Sequence, residues 1–451
     1  MTSTIRRASA LFLSVWMLLS AGCSNTAAPF PAAAEATYPE MAPYPDESRF
    51  IKASGEFDSD GFDKVYSAWR EDQNQQRNQP EGYALGLPAF FTRSIPTFLT
   101  GESRNPVCSP LNLYMALALL AECTDGTSRQ QILDALNAAS ITALRAQAGH
   151  VWNAHYCDDT ATATVLANSL WLQQGLRYSE STVNTLARDY YASVFQGALG
   201  SDEMNRALQQ WLNTQTGGLL EEQIQTVSMD PQTVLALAST IYYRAKWRSE
   251  FQPERNTQAI FHAALGDREV TFLNTVQTYG PYYWGDDYAA VSLWLEDGSR
   301  MWLVLPDEGK TPADILASGL ALDMILNQAD SYENQTSIRV NLSMPKFDIV
   351  GDTRMEENLR HLGITQVFDP NQADFSAILP EDPAWLDNVR HAARVMVDEE
   401  GVAAAAYTVM MVAGAARPPE DEVDFIADHP FLFLITSRDD LPLFAGIVNE
   451  P

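Results

Sequence analysis

The chain contains few cysteines and few histidines, and it lacks the short motifs that mark common catalytic sites. Its four cysteines and six histidines form no Cys-x-x-Cys or His-Glu-x-x-His pattern, and no Gly-x-Ser-x-Gly or phosphate-binding glycine loop occurs. His150 and His155 are five residues apart, whereas residues four apart share a helix face, so this pair indicates no metal site. These absences predict a protein that is not an enzyme and that holds no cofactor or metal.

Positive charge is also scarce. The chain has 29 Lys and Arg residues against 58 Asp and Glu residues, a formal net charge of −29, and no basic stripe interrupts this excess. A surface of this kind repels polyanions. We therefore expect no binding of nucleic acid, of heparin-like polyanions or of anionic membrane surfaces.

The first 23 residues have the pattern of an export signal. Arg6 and Arg7 precede an apolar stretch over residues 8–19, and small residues then lead to Cys23. This ending resembles a bacterial lipobox, in which the cysteine is lipidated, although Ser20 stands where leucine is usual. The alternative is an ordinary signal peptide with a cysteine nearby. We predict a signal over residues 1–23 and a lipid anchor on Cys23, with the protein on the extracytoplasmic face of the membrane.

The few cysteines limit cross-linking. If Cys23 carries lipid, three cysteines remain, so at most one internal disulfide can form. Cys108 lies in an apolar context typical of a buried thiol. Cys123 and Cys157 are then the pair that an oxidising compartment could bridge, and the sequence leaves open whether they do.

The composition changes twice along the rest of the chain. Residues 24–48 are rich in Ala, Pro, Ser and Thr and are predicted to form a tether, and residues 49–80 add an extension with an amphipathic pattern but no assignable function. Residues 81–451 contain no further linker, so they form one large domain or two tightly joined ones. Strand-like and helix-like stretches alternate irregularly there, which predicts an α+β architecture.

The run from Gly401 to Ala416 contains neither charge nor proline. It is too short to span a membrane, which takes roughly 20 apolar residues. Its alanines favour a helix, whereas its valines and Tyr407 favour a strand. Because short apolar runs fit either structure, the pattern alone leaves a buried helix and a buried strand both open.

A series of short motifs places this run in a wider context. The motifs occupy residues 105–117, 126–132, 167–171, 211–218, 242–247, 344–347, 359–376, 428–435 and 443–449. In this order, from about residue 85 to residue 451, they resemble the serpin family. The resemblance implies a fold of three β-sheets with eight or nine helices and an exposed reactive-centre loop.

The resemblance also assigns roles within the run. The segment similar to the hinge of a serpin reactive-centre loop consists of Glu399, Glu400, Gly401, Val402, Ala403, Ala404, Ala405, Ala406, Tyr407 and Thr408. The family's usual spacing from Gly401 puts the reactive bond between Ala415 and Ala416, with a shift of one or two residues left open. Cleavage after Arg417 is disfavoured because Pro418 follows.

Strand alternation makes this hinge suitable for insertion into a sheet. Successive side chains of a strand point to opposite faces. The residues that would share the buried face are all small or apolar: Val402, Ala404, Ala406, Thr408, Met410 and Val412. Val402 and Ala403 replace residues more usual in the family, yet both are small enough to insert.

Further positions match the family's sheet-opening sites. The residues that correspond to the shutter and the breach are Ser109, Asn112, Ser239, Trp247, Lys346 and His391. Asn112 stands where the family has serine and Ser239 where it has asparagine, so we expect the two to compensate by exchanging amide and hydroxyl. Lys346 is expected to pair with Glu399 at the top of the sheet.

The sequence therefore predicts a monomeric inhibitor of serine proteases. Ala415 suits elastase-like or subtilisin-like enzymes with shallow specificity pockets, and a cysteine protease target stays open. The alternative is a non-inhibitory serpin-fold protein that binds partners or acts as a chaperone at the surface. Prolines or bulky charges in the hinge would favour this alternative, and the hinge has neither after Glu400.

Overall fold

The computed structural model describes residues 32–99, 104–386, 389–402 and 421–451. Cys23, the hinge residues after Val402, and the predicted reactive bond Ala415–Ala416 lie outside the described residues.

Eleven α-helical segments occur in the described ranges, against the eight or nine expected; two of them have only four residues. They are α1 (Ser59–Arg77), α2 (Leu87–Leu99), α3 (Pro110–Cys123), α4 (Gly126–Ala135), α5 (Ile141–His155), α6 (Glu180–Asp189), α7 (Asp202–Gln215), α8 (Glu221–Ile224), α9 (Pro312–Ser318), α10 (Leu320–Asp323) and α11 (Glu356–His361). Serine residues cap the N-termini of four of the longer helices. Each serine side chain accepts a hydrogen bond from a backbone N–H of the first turn, which has no partner within the helix.

The strands are distributed along the whole chain. They are β1 (Ala32–Ala34), β2 (Val107–Cys108), β3 (Cys157–Asp158), β4 (Ala163–Gln173), β5 (Ala192–Gly197), β6 (Leu235–Lys246), β7 (Thr257–Ala263), β8 (Gly266–Trp284), β9 (Tyr288–Trp294), β10 (Arg300–Pro306), β11 (Gln335–Pro345), β12 (Phe347–Arg354), β13 (Arg390–Val397), β14 (Gly401–Val402), β15 (Glu422–Ile426), β16 (Phe431–Thr436) and β17 (Pro442–Val448). The predicted α+β class is confirmed.

The described strands join into two hydrogen-bonded networks. The main sheet has the order β1-β5-β4-β6-β14-β13-β12, with β3 on β4, and the second sheet has the order β15-β11-β8-β9-β10-β16-β17-β2, with β7 on β8. Three sheets are expected from the resemblance. The described strands form two sheets instead, because β8 joins the strands around β11 to those around β9. This 19-residue strand pairs with β11 along most of its length and with β9 through residues 282–284.

The core lies between the two sheets and around α3. Every residue of β16 and β17 is buried, and so is nearly every residue of α3, which contacts β6 and β17. Two buried tryptophans satisfy their N–H groups inside this core: Trp152 Nε1 donates to the Leu166 carbonyl at 2.8 Å, and Trp302 Nε1 donates to Thr436 Oγ1 at 3.1 Å. The packing therefore buries large apolar surface without leaving these donors unsatisfied.

The prediction of a tether is wrong for residues 32–48. Strand β1 adds to the edge of the main sheet by pairing with β5. The Tyr38 ring lies 5.2 Å from that of Trp152, and the Tyr44 ring lies 5.2 Å from that of Trp69 in α1. These aromatic side chains supply the apolar contact area that alanines and prolines alone do not.

Cys123 and Cys157, the pair that the sequence left open, are not bridged. Cys108, Cys123 and Cys157 are all buried free thiols. Cys123 ends α3, whereas Cys157 begins β3, where its Sγ donates to Asp159 Oδ2 at 3.5 Å. Burial raises the pKa of both thiols, so they behave as small packed side chains rather than as reactive groups.

Neither a membrane span nor a metal cluster is found in the described part of the chain. No helix there combines the length and the apolar character that crossing a bilayer requires. Within the same ranges, no three His, Cys, Asp or Glu side chains come together in a way that could hold a metal ion.

Candidate functional site

The last two described residues of the predicted hinge, Gly401 and Val402, lie inside the main sheet. Strand β14 pairs antiparallel with β6 through Gly401↔Lys246 and Val402↔Ala245, and with β13 through Val402↔Val397. The side chain of Val402 is 2% exposed, and its cross-strand partners Ala245 and Val397 are fully buried. Directly opposite residues share a face, so Val402 lies on the core face of the sheet.

A tight turn between β13 and β14 directs the chain into this position. The backbone N–H of Asp398 donates to the Gly401 carbonyl at 3.1 Å. The Asp398 Oδ1 accepts hydrogen bonds from the backbone N–H groups of Glu400, at 2.9 Å, and Gly401, at 3.2 Å. Glycine is required at 401 because a Cβ atom there would collide with the carbonyl oxygen of Ala245.

Trp247 binds the outside of this turn. Its backbone N–H donates to the Glu400 carbonyl and its Nε1 donates to the Asp398 carbonyl, each at 2.9 Å. The ring is 1% exposed and packs edge-on against Phe251, whose own N–H donates to the Glu399 carbonyl at 2.9 Å. The carbonyl groups of three consecutive turn residues are thus satisfied by one neighbouring segment.

The Glu399 carboxylate joins the turn to the second sheet. Lys346 Nζ lies 2.7 Å from Glu399 Oε2, and Asn256 Nδ2 donates to Glu399 Oε1 at 2.7 Å. Burial raises the pKa of Glu399, but the hydrogen bonds from Lys346 and Asn256 outweigh it and hold the pKa below its ordinary value. The sequence analysis expected the Lys346–Glu399 contact but missed Asn256.

Ser109 and His391 meet beneath the main sheet. The Ser109 side chain caps α3 by accepting from the backbone N–H of Asn112 at 3.3 Å, while its own N–H donates to His391 Nε2 at 2.9 Å. Because Nε2 accepts this bond, it carries no proton. His391 is 3% exposed and lies on β13, so this contact ties β13 to the start of α3.

Ser239 on β6 contacts two asparagines. Its Oγ lies 3.0 Å from Asn112 Oδ1 and 2.7 Å from Asn168 Oδ1. One hydroxyl proton can serve only one of these oxygens, so both contacts become favourable when one asparagine presents its Nδ2 group to Ser239 instead. The Nδ2 atoms of both asparagines are otherwise buried without a partner.

The structure thus brings Asn112 and Ser239 together as the proposed exchange requires. Asn168 was not assigned a role from the sequence, although it lies in the quoted motif at residues 167–171. Its side-chain amide could have indicated this role, because β4 is otherwise dominated by apolar residues and a buried amide in such a strand needs a hydrogen-bond partner.

A cavity of about 750 Å³ lies beside the half of β6 farther from the hinge. Residues 235–240 of β6 line one wall, and residues of α7 and α8 cover it. Ala392 of β13 and Arg354 of β12 line the opposite side. The cavity therefore follows the same boundary between β6 and β13 that β14 enters at the hinge end.

Comparisons with known proteins cover most of the chain. The family model described as "Serpin (serine protease inhibitor)" matches residues 91–451. Serpin-Z2B of Oryza sativa subsp. japonica is 28% identical over 407 residues, covering 82% of this chain and 98% of its own. Alpha-1-antiproteinase of Rattus norvegicus is 28% identical over 396 residues, covering 85% and 93%.

Solved structures agree in fold. Native tengpin, a thermophilic serpin, matches with a TM-score of 0.74 and 23% identity over 83% of this chain and 95% of its own. Tengpin in the latent state matches with a TM-score of 0.68 and 22% identity over 82% and 98%.

Exchanging the two shutter groups tests their compensation. We expect Asn112→Ser and Ser239→Asn each to lower the free energy of unfolding by about 1–3 kcal/mol, because each leaves a buried polar group without its partner. The double variant restores one amide and one hydroxyl and should recover most of this loss. Urea unfolding of the four proteins measures the coupling, and additive losses would contradict it.

The Glu399–Lys346 contact predicts a pH dependence. Since the pKa of Glu399 is lowered in the folded protein, the contact contributes stability above the ordinary glutamate pKa of 4.5 and loses it as pH falls through the folded-state value. We expect Lys346→Met to cost up to about 1 kcal/mol near neutral pH, because the pair is partly exposed. The difference from wild type should vanish at the acid end of a pH series of unfolding curves. A cost that persists there would show that the substitution acts through packing and not through loss of the charged pair.

Proposed function

The chain belongs to the serpin family, and we propose that it is a suicide-substrate inhibitor of serine proteases. In this proposal a protease attacks the carbonyl of Ala415 and forms an acyl-enzyme. The severed loop then enters the main sheet between β6 and β13 before the acyl-enzyme is hydrolysed. Such loop insertion is the known behaviour of inhibitory serpins.

The register of β14 is the observation that carries the proposal. Continued without a shift, the pairing of Gly401 and Val402 would put Ala404 opposite Tyr243 and Val395. Two residues later, Ala406 would lie opposite Ile241 and Ala393. These four partners are buried, so the small side chains of the hinge would meet the core face of the sheet, where a charge would be costly.

The same register brings Thr408 to the shutter. Its strand partners would be Ser239 on β6 and His391 on β13. Ser239 already contacts Asn112 and Asn168 there. A threonine hydroxyl arriving at this point can join a polar cluster, whereas the alanines before it meet apolar partners.

Insertion would release a large free energy. About ten further residues would gain ladder hydrogen bonds at roughly 0.5–1.5 kcal/mol each, or on the order of 10 kcal/mol. That amount is comparable to the ~5–15 kcal/mol stability of a typical domain. The protein before cleavage must therefore be metastable, and this stored free energy is what would trap the protease.

The small residues at the reactive bond indicate the target. Ala415 fits the shallow specificity pocket of elastase-like or subtilisin-like serine proteases, and a cysteine protease would be an alternative outcome of the same test. Several relatives carry inhibitor names, among them the alpha-1-antiproteinase of Rattus norvegicus and "Plasminogen activator inhibitor 1" of Sus scrofa. These names support an inhibitor over a non-inhibitory serpin-fold protein that binds partners or acts as a chaperone.

The proposal includes the location predicted from the N-terminus. Lipid on Cys23 would hold the protein at the extracytoplasmic face, as the signal-like residues 1–23 indicate. The anchor would be its only contact with the membrane, since a net charge of −29 opposes adhesion to anionic lipids.

A matched pair of hinge variants tests the mechanism. The wild-type protein should form an SDS-stable complex with elastase or subtilisin. Ala404→Arg puts a charge on the predicted core face and should raise the number of inhibitor molecules consumed per protease inhibited by at least about tenfold, because an unpaired buried charge costs several kcal/mol. Ala405→Arg puts the same charge on the other face and should change this ratio little.

Two results would contradict the proposal. One is cleavage of the wild-type loop by both proteases with no stable complex and no gain in thermal stability. The other is an equal effect of the two arginine variants, which would show that the loop does not insert in the register of β14.

A further inference from the structure

The N-terminal segment follows the edge of the main sheet in a definite direction. In β1, Ala32 pairs with Phe195 and Ala34 pairs with Val194 of the edge strand β5. The backbone N–H of Ala36 then donates to Ser193 Oγ at 3.2 Å. As the chain advances from Ala32 to Ala36, it therefore passes β5 from its end toward its start. We call residues 32–44 the strap.

Aromatic and backbone contacts hold the second half of the strap. The Tyr38 ring packs against Trp152 at 5.2 Å and against Tyr156 at 5.5 Å. The Tyr44 backbone N–H donates to the Asp159 carbonyl at 2.7 Å, directly after β3. The strap is thus fixed at both ends, once at β5 and once beside β3.

The pairing of neighbouring strands shows where each end of the strap lies along β6. Phe195 pairs with Trp171 of β4, which pairs with Ala236 of β6. At the other end of the strap, Asp158 pairs with Ala163, which pairs with Arg244 of β6.

The two ends of the strap are therefore separated along the sheet by about eight residues of β6, which is roughly 26 Å at 3.3 Å per residue. Its second end lies one position from Ala245, the partner of Val402 in the hinge. Its first end lies near the opposite end of the main sheet.

Both described ends of the reactive loop lie at the hinge end. Val402, the last described residue before the loop, lies there, and the described chain resumes at Asp421 just before β15. Asp424 of β15 and Arg255 line one cavity, and the adjacent Asn256 donates to Glu399 of the hinge turn. The two described ends of the loop and the first residue of the strap thus lie at opposite ends of the main sheet.

We propose that the strap sets the orientation of the protein on its membrane, with the reactive loop facing away from the bilayer. This inference rests on the proposed function and its lipid anchor. The chain between Cys23 and Ala32 has eight residues, which reach at most ~28 Å. The anchored end of the sheet is therefore held within ~28 Å of the lipid.

This orientation narrows the class of target. The reactive bond is presented to a protease that arrives from the aqueous phase, not to one embedded in the same membrane. Without the strap, Tyr44 would be the first fixed point, and about twenty residues of free chain would start near the hinge end. The body could then turn its loop toward the bilayer. With the strap docked, the same arrangement would need the eight residues after Cys23 to be almost fully extended, so the strap disfavours it.

Energy transfer to the membrane tests the orientation in the lipidated, full-length protein. The three described cysteines are buried, so a fluorophore will label a cysteine introduced at an exposed site. Gln232→Cys lies at the far end of the main sheet, beside β6, and Ser249→Cys lies between the two hinge contacts of Trp247 and Phe251. With acceptor dye on the lipid headgroups of phosphatidylethanolamine–phosphatidylglycerol vesicles, transfer should be clearly greater from position 232.

Releasing the strap provides the second measurement. Ala36→Pro with Tyr38→Ala removes the bond to Ser193 and the aromatic contact, and it should bring the two transfer efficiencies together. Tyr279→Ala, on a surface strand away from the strap, is the matched control and should keep them apart. Equal transfer from both labelled positions when the strap is unaltered, or greater transfer from position 249, would overturn the proposal.

The anchor and the inhibitory activity are measured separately. If the wild-type protein floats with vesicles no better than Cys23→Ala, the anchor is wrong and the orientation falls with it. If no SDS-stable complex forms with elastase or subtilisin while transfer still differs between the two positions, the inhibitory function fails and the orientation stands.

Discussion

The placement of Gly401 and Val402 between β6 and β13 is the constraint on which the rest of the site depends. Two strands that flank a third are separated by about twice the usual ~4.8 Å spacing, so this short strand sets the distance between β6 and β13 at the hinge end. Asp398 forms the turn that brings the chain there, and Trp247 and Glu399 secure that turn from the two sheets. Because β14 already separates β6 from β13 at the hinge end, these two strands need not part there when more of the loop enters the sheet.

The polar cluster under the sheet fits the same requirement. Interlocked apolar side chains resist sliding because every displacement opens a void. The contacts of Ser239, Asn112 and His391 are instead hydrogen bonds, which can be exchanged for others as a strand moves. This is a physical reason for polar groups at a buried boundary, where unsatisfied atoms carry a cost. The amide and the hydroxyl have changed places relative to the family pattern, yet they still meet.

Much of the fold could be predicted because its motifs keep a fixed order along the chain, and the contact between Lys346 and Glu399 followed from the same resemblance. The remainder depends on contacts that no local pattern contains. Asn168 and Ser239 are 71 residues apart, and Asn256 reaches Glu399 across 143 residues. The strap was misjudged for another reason: its alanines and prolines indicate a tether, and only the positions of Tyr38 and Tyr44 against distant aromatic rings make it a docked segment.

The reduced state of Cys123 and Cys157 has a mechanical consequence. Cys123 belongs to the helix behind the main sheet, and Cys157 belongs to β3, which is paired with β4. A covalent bridge between them would fasten the β4 side of the sheet to that helix. With both sulfur atoms present as thiols, the β4 side of the sheet is held to that helix by noncovalent packing, and no covalent cross-link between these two cysteines would oppose the widening that loop insertion requires.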